Sequence, residues 1–383
     1  MMKRITLIFY TFVVLLCVSC GGANSVDLSI FTRKIYTPTY ASGFEILGSS
    51  EGESTLIKIS SPWQGYSGDG YSILILRGDE SAPEGFGGAV VRDQTHRVVT
   101  MSSSNLAMYD ALGEVDRVVG CSGLDYVSSP RVHARASQGV LHDVGYDTNL
   151  NFELITAKRP DLVLLYSVAG GAGSVTSKFD ELQIPYTFIG DYTEEHPLGK
   201  AEWMILVGEL CGVREQAKSQ FEALATRYNS MKEQVAQSEE RPKVMLNTPY
   251  RDVWYMPPMG SYMVRLIEDA GGQLSYQDNT TTTSQPISIE LAYTLVKSCD
   301  FWLNTGATTQ SLSALRASNP KFANMAVVKR GDVFNNSARS LPNGGSDFWE
   351  SGVVNPDLVL RDLISILHAE VMSDSLYYYK QLK

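Results

Sequence analysis

VREQAKSQFEALATRYNSMKEQVAQ, Val213–Gln237, is the stretch that decides the architecture. Ala217, Phe221, Leu224, Tyr228, Met231 and Val235 recur at alternating spacings of four and three, which winds one apolar stripe along a helix. Neither Gly nor Pro interrupts it. About 25 residues at 1.5 Å each reach roughly 37 Å, the width of a small domain. A helix of that length between two regions of strand–helix alternation is expected to be a spine joining two lobes.

The alternation is legible on both sides of the spine. Val98–Met101, Arg117–Gly120, Leu162–Tyr166 and Tyr186–Ile189 read as strands separated by helical stretches, the first of them begun by the capping serines Ser102–Ser104. Beyond the spine, Lys243–Asn247, Asp300–Asn304 and Val333-Phe334 read as strands, and Tyr262–Ala270 and Pro356–His368 as helices. Such alternation builds mainly parallel sheets covered by helices. The expected fold is α/β: two Rossmann-like lobes, 96–212 and 238–383, joined by one long helix over 213–237. Before them, Phe44–Leu47, Thr55–Ile59 and Tyr71–Leu76 predict a small antiparallel β addition over 41–95, preceded by a polar, turn-rich tether over 21–40.

Residues 1–20 read as an export signal: Lys3 and Arg4, an apolar run from Ile5 to Val18 too short to span a bilayer, then Val18-Ser19-Cys20-Gly21-Gly22. The last segment resembles a bacterial lipobox, although Cys17 stands where an aliphatic residue is usual. It implies that Cys20 is acylated and anchors the mature chain to a membrane from the periplasmic side. Cys121, Cys211 and Cys299 are too few and too scattered for a disulfide framework and read as small buried apolar residues. The formal net charge is −10; loss of Lys3 and Arg4 leaves 30 basic against 42 acidic residues, or −12. That sign argues against nucleic acid as a partner and against a polybasic membrane-binding face.

Three segments carry a resemblance to the helical-backbone class of periplasmic substrate-binding proteins, which serve ABC importers of iron-siderophores, haem and cobalamin. They are RVVTMSSSNLAMYDALGEVDRVVG (Arg97–Gly120), NFELITAKRPDLVLLY (Asn151–Tyr166), and SYMVRLIEDAGGQ with ISIELAYTLVKSCDFWLNTG in the second lobe. The resemblance covers roughly 95 to 370 and leaves the N-terminal β segment without a counterpart. It implies a monomeric receptor without catalytic residues, cofactor or resident metal. Its partners would be a corrinoid, haem or ferric chelate and an ABC permease with its ATPase. In the family each lobe offers one exposed glutamate to arginines of the permease; those positions match Glu153 and Glu290 here. Glu153 precedes Asp161 by eight residues and Glu290 precedes Asp300 by ten, so the second match departs from the spacing of the first.

Ligands of open α/β sheets sit beyond the carboxyl ends of the strands. The loops expected there hold Tyr126, Tyr166, Tyr192, Tyr250, Trp254, Tyr255, Asn304, Arg339 and Trp349, the candidate ligand-binding residues. Arg131, Arg135, Arg251 and Arg339 roughly balance Asp125, Asp191, Asp252 and Asp347 in the same loops. A polyanionic ferric tricatecholate would want clustered arginines. Many flat rings and a balanced charge suit a broad, nearly neutral ligand, best a corrinoid, with haem on a tyrosine axial ligand as the alternative. An exported hydrolase or transferase is the rival class. His-Glu-x-x-His does not occur, Gly171-Ala172-Gly173-Ser174 is only the beginning of a dinucleotide fingerprint, and the five histidines have no metal-ligand spacing.

Overall fold

A computed structural model of the chain describes residues 26–146, 149–167, 173–306 and 309–383; Cys20 and the stretch that reads as an export signal lie outside them. The N-terminal sheet comes first: β1 (Phe31–Tyr36), β2 (Phe44–Ser49), β3 (Thr55–Ile59), β4 (Tyr71–Leu76) and β5 (Ala89–Arg92), in that order across the sheet. β1 to β4 are antiparallel, and β5 pairs parallel to β4. Successive side chains of a strand point to opposite faces, and here both faces are buried. Ile46, Ile57, Ile59, Ile73 and Ile75 enter the main core. Leu47, Leu56, Leu74 and Leu76 form a separate cluster with Phe31, packed against Leu28, Ile30, Ala82 and Phe86. Double burial explains the nearly unbroken apolar runs. The sheet departs from expectation in two ways. β1 falls inside the stretch read as a tether, because Arg33 and Lys34 break its hydrophobic pattern, although such charges suit an edge strand. The parallel β5 makes the addition mixed rather than antiparallel.

Three glutamates fasten this sheet to the first lobe. The buried Glu202 carboxylate accepts hydrogen bonds from the Tyr36 hydroxyl and from the backbone N–H groups of Thr39, Tyr40 and Ala41, at 2.5–2.8 Å. Glu194 accepts from Ser42 N, Gly43 N and the Trp203 indole at 2.9–3.0 Å. Glu209 accepts from Thr55 Oγ1 at 2.6 Å and pairs with Arg77 and Arg214. The turn after β1 is thus satisfied by carboxylates where no strand partner exists.

The first lobe alternates β6 (Val98–Thr100), α1 (Ser103–Ala111), β7 (Val118–Cys121), α2 (Pro130–Ser137), β8 (His142–Asp143), α3 (Phe152–Lys158), β9 (Leu162–Leu165), α4 (Gly173–Glu181) and β10 (Tyr186–Phe188). Its strands are parallel, in the order β10-β9-β6-β7-β8. Val98, Leu162 and Leu164 face the main core, and Val99, Val163 and Leu165 face a second cluster with Ile155 and Phe179. Two buried helices, α5 (Pro197–Glu202) and α6 (Met204–Cys211), then lead into α7 (Arg214–Val235), the expected spine. Ala217, Phe221, Leu224, Tyr228 and Val235 are buried along it and Met231 is half-buried. Cys121, Cys211 and Cys299 are free and buried, and burial pushes each thiol up to about 12.

The second lobe contains β11 (Lys243–Leu246), β12 (Trp254–Met256), α8 (Tyr262–Asp269), β13 (Gln273–Leu274), β14 (Gln285–Ile287), α9 (Ile289–Ser298), β15 (Phe301–Leu303), α10 (Leu312–Ser318), α11 (Ala326–Arg330), β16 (Val333–Asn335), α12 (Ser351–Val354), α13 (Pro356–Leu367) and β17 (Lys380–Gln381). The sheet order is β13-β11-β15-β16-β17, parallel except for β17; β12 and β14 form a separate antiparallel pair. An internal repeat shows at atomic level. Asp161 N donates to Arg97 O and its carboxylate accepts from Arg97 N; Asp300 N donates to Lys243 O and its carboxylate accepts from Lys243 N, all at 2.8 Å. In each lobe an aspartate thus locks the start of one central strand to its neighbour. Both sheets have a switch point, β9/β6 in one and β11/β15 in the other, and a ligand crevice forms beyond such points.

Candidate functional site

The loops beyond the second lobe's switch point are held in unusual backbone. Asn247 and Asn304, each the first residue after its strand, have positive φ of 66° and 57°, a region that asparagine tolerates better than most residues. Arg251 and Asp252 also have positive φ and turn the chain between Tyr250 and Val253, which bridge to each other. That tight turn presents the Tyr250 ring, 63 % exposed, beneath the Arg251 guanidinium at 5.1 Å. Strained turns of this kind persist where surrounding structure over-determines them, often at binding sites.

The remaining candidates divide. Tyr126 (53 % exposed), Tyr255 and Trp349 are exposed, and Tyr166 and Tyr192 half-buried. Tyr126 stands on a loop fixed by the Asp143 carboxylate, which accepts from Leu124 N at 2.9 Å and Gly145 N at 2.8 Å. Tyr192 donates its hydroxyl to Ser167 O at the end of β9. Trp349 packs edge-on against Phe348 at 4.7 Å. Trp254 is a correction. It is fully buried, its indole donates to Leu246 O at 2.8 Å, and it packs against Trp302 and Phe322. β12 points it inward and its neighbour Tyr255 outward, a strand alternation that its loop-like sequence context did not reveal. Arg339 is committed elsewhere: it pairs with Asp347 and lies over the Tyr377 ring at 4.5 Å. Asn304 is half-buried, and its buried Oδ1 has no hydrogen-bond partner among the described residues. Tyr146, 54 % exposed just beyond β8, belongs with the exposed rings; the sequence does not point to it, because a two-residue strand leaves no periodic signal.

Arg339 and Asp347 line an interlobe cavity of about 500 Å³ beside the spine, with Arg131, Arg227, Glu350 and Tyr377; Tyr126, Tyr146, Tyr250, Tyr255 and Trp349 do not line it. At its edge the lobes meet. The Glu350 carboxylate of the second lobe accepts from Ser128 N at 2.6 Å and Ser129 N at 3.0 Å of the first, and Asn343 Nδ2 donates to Asp125 O at 2.6 Å. Burial pushes the Glu350 carboxyl up to about 7. A carboxyl raised in the folded state stabilises the fold fully below its unfolded value, and that contribution is lost as pH rises through the folded one. Between about pH 4.5 and 7 the thermal midpoint of the native chain is therefore expected to fall relative to that of Glu350→Gln. Parallel melting curves of the two proteins at several pH values across that window would refute this.

Glu153 and Glu290 occupy equivalent places. Each is exposed and is the second residue of its helix, α3 or α9, two residues beyond a side-chain cap: Asn151 accepts from Leu154 N at 2.9 Å and Ser288 from Leu291 N at 3.1 Å. The unequal spacing to the strand aspartates has a simple source, since α3 has 7 residues and α9 has 10.

Residues 98–338 match the profile of a family described as periplasmic binding protein. An uncharacterized lipoprotein of Methanocaldococcus jannaschii is 28 % identical over 283 residues, 72 % of this chain and 65 % of the relative, so the match spans about two thirds of that protein's length. Among solved structures, a periplasmic haem-binding protein from Pseudomonas aeruginosa superposes with a TM-score of 0.58 at 17 % identity, over 76 % of this chain and 98 % of that one. A periplasmic vitamin B12 binding protein of Vibrio cholerae does so with a TM-score of 0.50 at 15 % identity, over 73 % and 99 %.

Proposed function

The chain belongs to the periplasmic binding protein family, and from that premise we propose that it is the lipid-anchored receptor of an ABC importer, capturing a corrinoid between its lobes. The observation that carries this reading is the set of exposed rings, Tyr126, Tyr146, Tyr250, Tyr255 and Trp349, on both lobes of one chain. Each is a large apolar face left in water, and covering it with a flat ligand recovers about 25 cal/mol per Å² of apolar surface. The balance of Arg131, Arg135, Arg251 and Arg339 against Asp125, Asp191, Asp252 and Asp347 in these loops suits a ligand of low net charge. The tyrosines among them support a second reading, haem held by a phenolate. Glu153 and Glu290 are the proposed contacts with permease arginines, and Cys20 the proposed lipid attachment, in keeping with the lipoprotein relative.

Purified protein is to be titrated with cyanocobalamin, haemin and a ferric siderophore while its absorbance spectrum is recorded. Saturation by cyanocobalamin at one equivalent is expected, with the ligand recovered unchanged. Saturation by haemin instead, with a phenolate charge-transfer band, selects the second reading. Binding of none of them, or turnover, sinks the proposal. Cell fractionation tests the anchor: Cys20→Ala should move the chain from membranes to the soluble periplasm, and retention in membranes after signal processing would exclude lipidation.

A further inference from the structure

The N-terminal sheet is fastened to the first lobe, and its loop between β3 and β4 reaches further. Trp63 packs edge-on against Phe188 of β10 at 5.0 Å, alongside Tyr66 at 4.7 Å. Gly190, two residues beyond β10, is pressed against this loop so closely that a Cβ there would lie 2.0 Å from Ser61 O. Gln64 N donates to the Tyr192 hydroxyl at 3.1 Å, and that hydroxyl donates on to Ser167 O at the end of β9. The loop is therefore bound to the carboxyl edge of the first lobe. From there the Gln64 side-chain amide donates to Thr282 O of the second lobe at 2.7 Å.

One side chain, borne by neither lobe's own sheet, thus spans from one lobe to the other. The cleft is bridged a second time, at Asn343–Asp125 and Glu350–Ser128/Ser129. Those contacts leave the segment after β7, the neighbour of the edge strand β8, whereas the Gln64 contact leaves the opposite edge, at β10.

We propose that the loop from Ser60 to Gly70 is a third wall of the ligand cleft, and that Gln64 is a positioning residue whose amide sets how far the lobes open. This rests on the receptor reading for its purpose, though not for its geometry. The wall also carries a chemical preference. The second-lobe segment it meets, Asn279 to Gln285, consists of Asn, Thr, Ser and Gln without a charge. Gln64 and these side chains offer neutral donors and acceptors, which match the carboxamide rim of a ligand better than a ring of carboxylates. Removing one exposed hydrogen bond of this kind changes an equilibrium by about two- to tenfold.

The test uses Gln64→Ala and Gln64→Glu in the full chain. Gln64 is exposed, so neither change disturbs a core, and the carboxylate of the second variant keeps the shape but cannot donate to a carbonyl. Spin labels on cysteines introduced at positions 153 and 290, one in each lobe, report the interlobe distance distribution without ligand. The native residue should give a narrow distribution. Both variants should broaden it towards longer distances, the glutamate at least as much as the alanine. Unchanged distributions overturn the strap. With cyanocobalamin and haemin as probes, the dissociation rate of the one that binds should rise about two- to tenfold in both variants. If neither probe binds the native protein, the receptor reading fails while the distance measurement still judges the strap. A changed distribution with an unchanged dissociation rate overturns the third wall.

Discussion

Reversing both proposed docking acids, Glu153→Arg with Glu290→Arg, is expected to abolish ligand uptake by cells while ligand affinity of the purified protein stays within about twofold of the native value. Both side chains are exposed at the start of their helices, so reversal buries no charge and breaks no packing. It does remove an acid from each helix N-terminus, where negative charge is favourable by about 0.3–1 kcal/mol, a loss the fold can absorb. The effect on transport is far larger for two reasons. Helices of parallel α/β units run antiparallel to their strands, so the amino ends of α3 and α9 lie at the carboxyl edges of their sheets, beside the cleft. Two contacts there, one per lobe, fix the orientation in which the cleft meets the permease. Replacing each acid by arginine then sets like charges against each other at a desolvated interface, where juxtaposition costs several kcal/mol. Each single reversal should give a partial loss. The paired measurement is uptake by cells against equilibrium binding by the double variant. Normal uptake, or lost binding, would remove these two residues from the docking role.

The second large effect concerns stability. Glu202→Ala should destabilise the chain by about 1–3 kcal/mol, the range for leaving the donors to a buried group without their acceptor. Four donors converge on that carboxylate, three of them backbone N–H groups of Thr39, Tyr40 and Ala41. Alanine leaves a buried hole that satisfies none of them. Glu202→Gln should fall between, because one carbonyl oxygen remains while the amide N–H₂ faces donors. Urea denaturation gives the free energy, and limited proteolysis should show new cleavage between β1 and β2 in the alanine variant. A change below about 1 kcal/mol with native resistance to protease would mean that the segment is held by its apolar faces alone.

The sequence was explicit wherever a single element carries its own period. The stripe from Ala217 to Val235 forces a long helix whatever surrounds it. The apolar runs at Val98, Leu162, Lys243–Leu246 and Phe301 are short, flanked by capping residues, and separated by helix-length intervals, so two parallel-sheet lobes follow from local pattern alone. The family resemblance picks out Glu153 and Glu290, and both stand as the second residue of a capped helix.

What the sequence withheld depends on partners far away along it. β1 was read as a tether because Thr32-Arg33-Lys34 has no apolar alternation; only its pairing with β2 and the Glu202 carboxylate, distant in sequence, make it a strand and an anchored turn. β17 is two residues long and exists because β16 offers it an edge. Trp254 and Tyr255 are adjacent and equally aromatic, and which of them meets solvent was decided by the pairing of β12 with β14. Arg339 and Asp347 neutralise each other across a loop, so neither charge was free for a ligand. Local period and capping are short-range physics, written along the chain. The direction a ring faces and the partner a charge takes are settled by non-local packing and burial, and only the tertiary structure decided them.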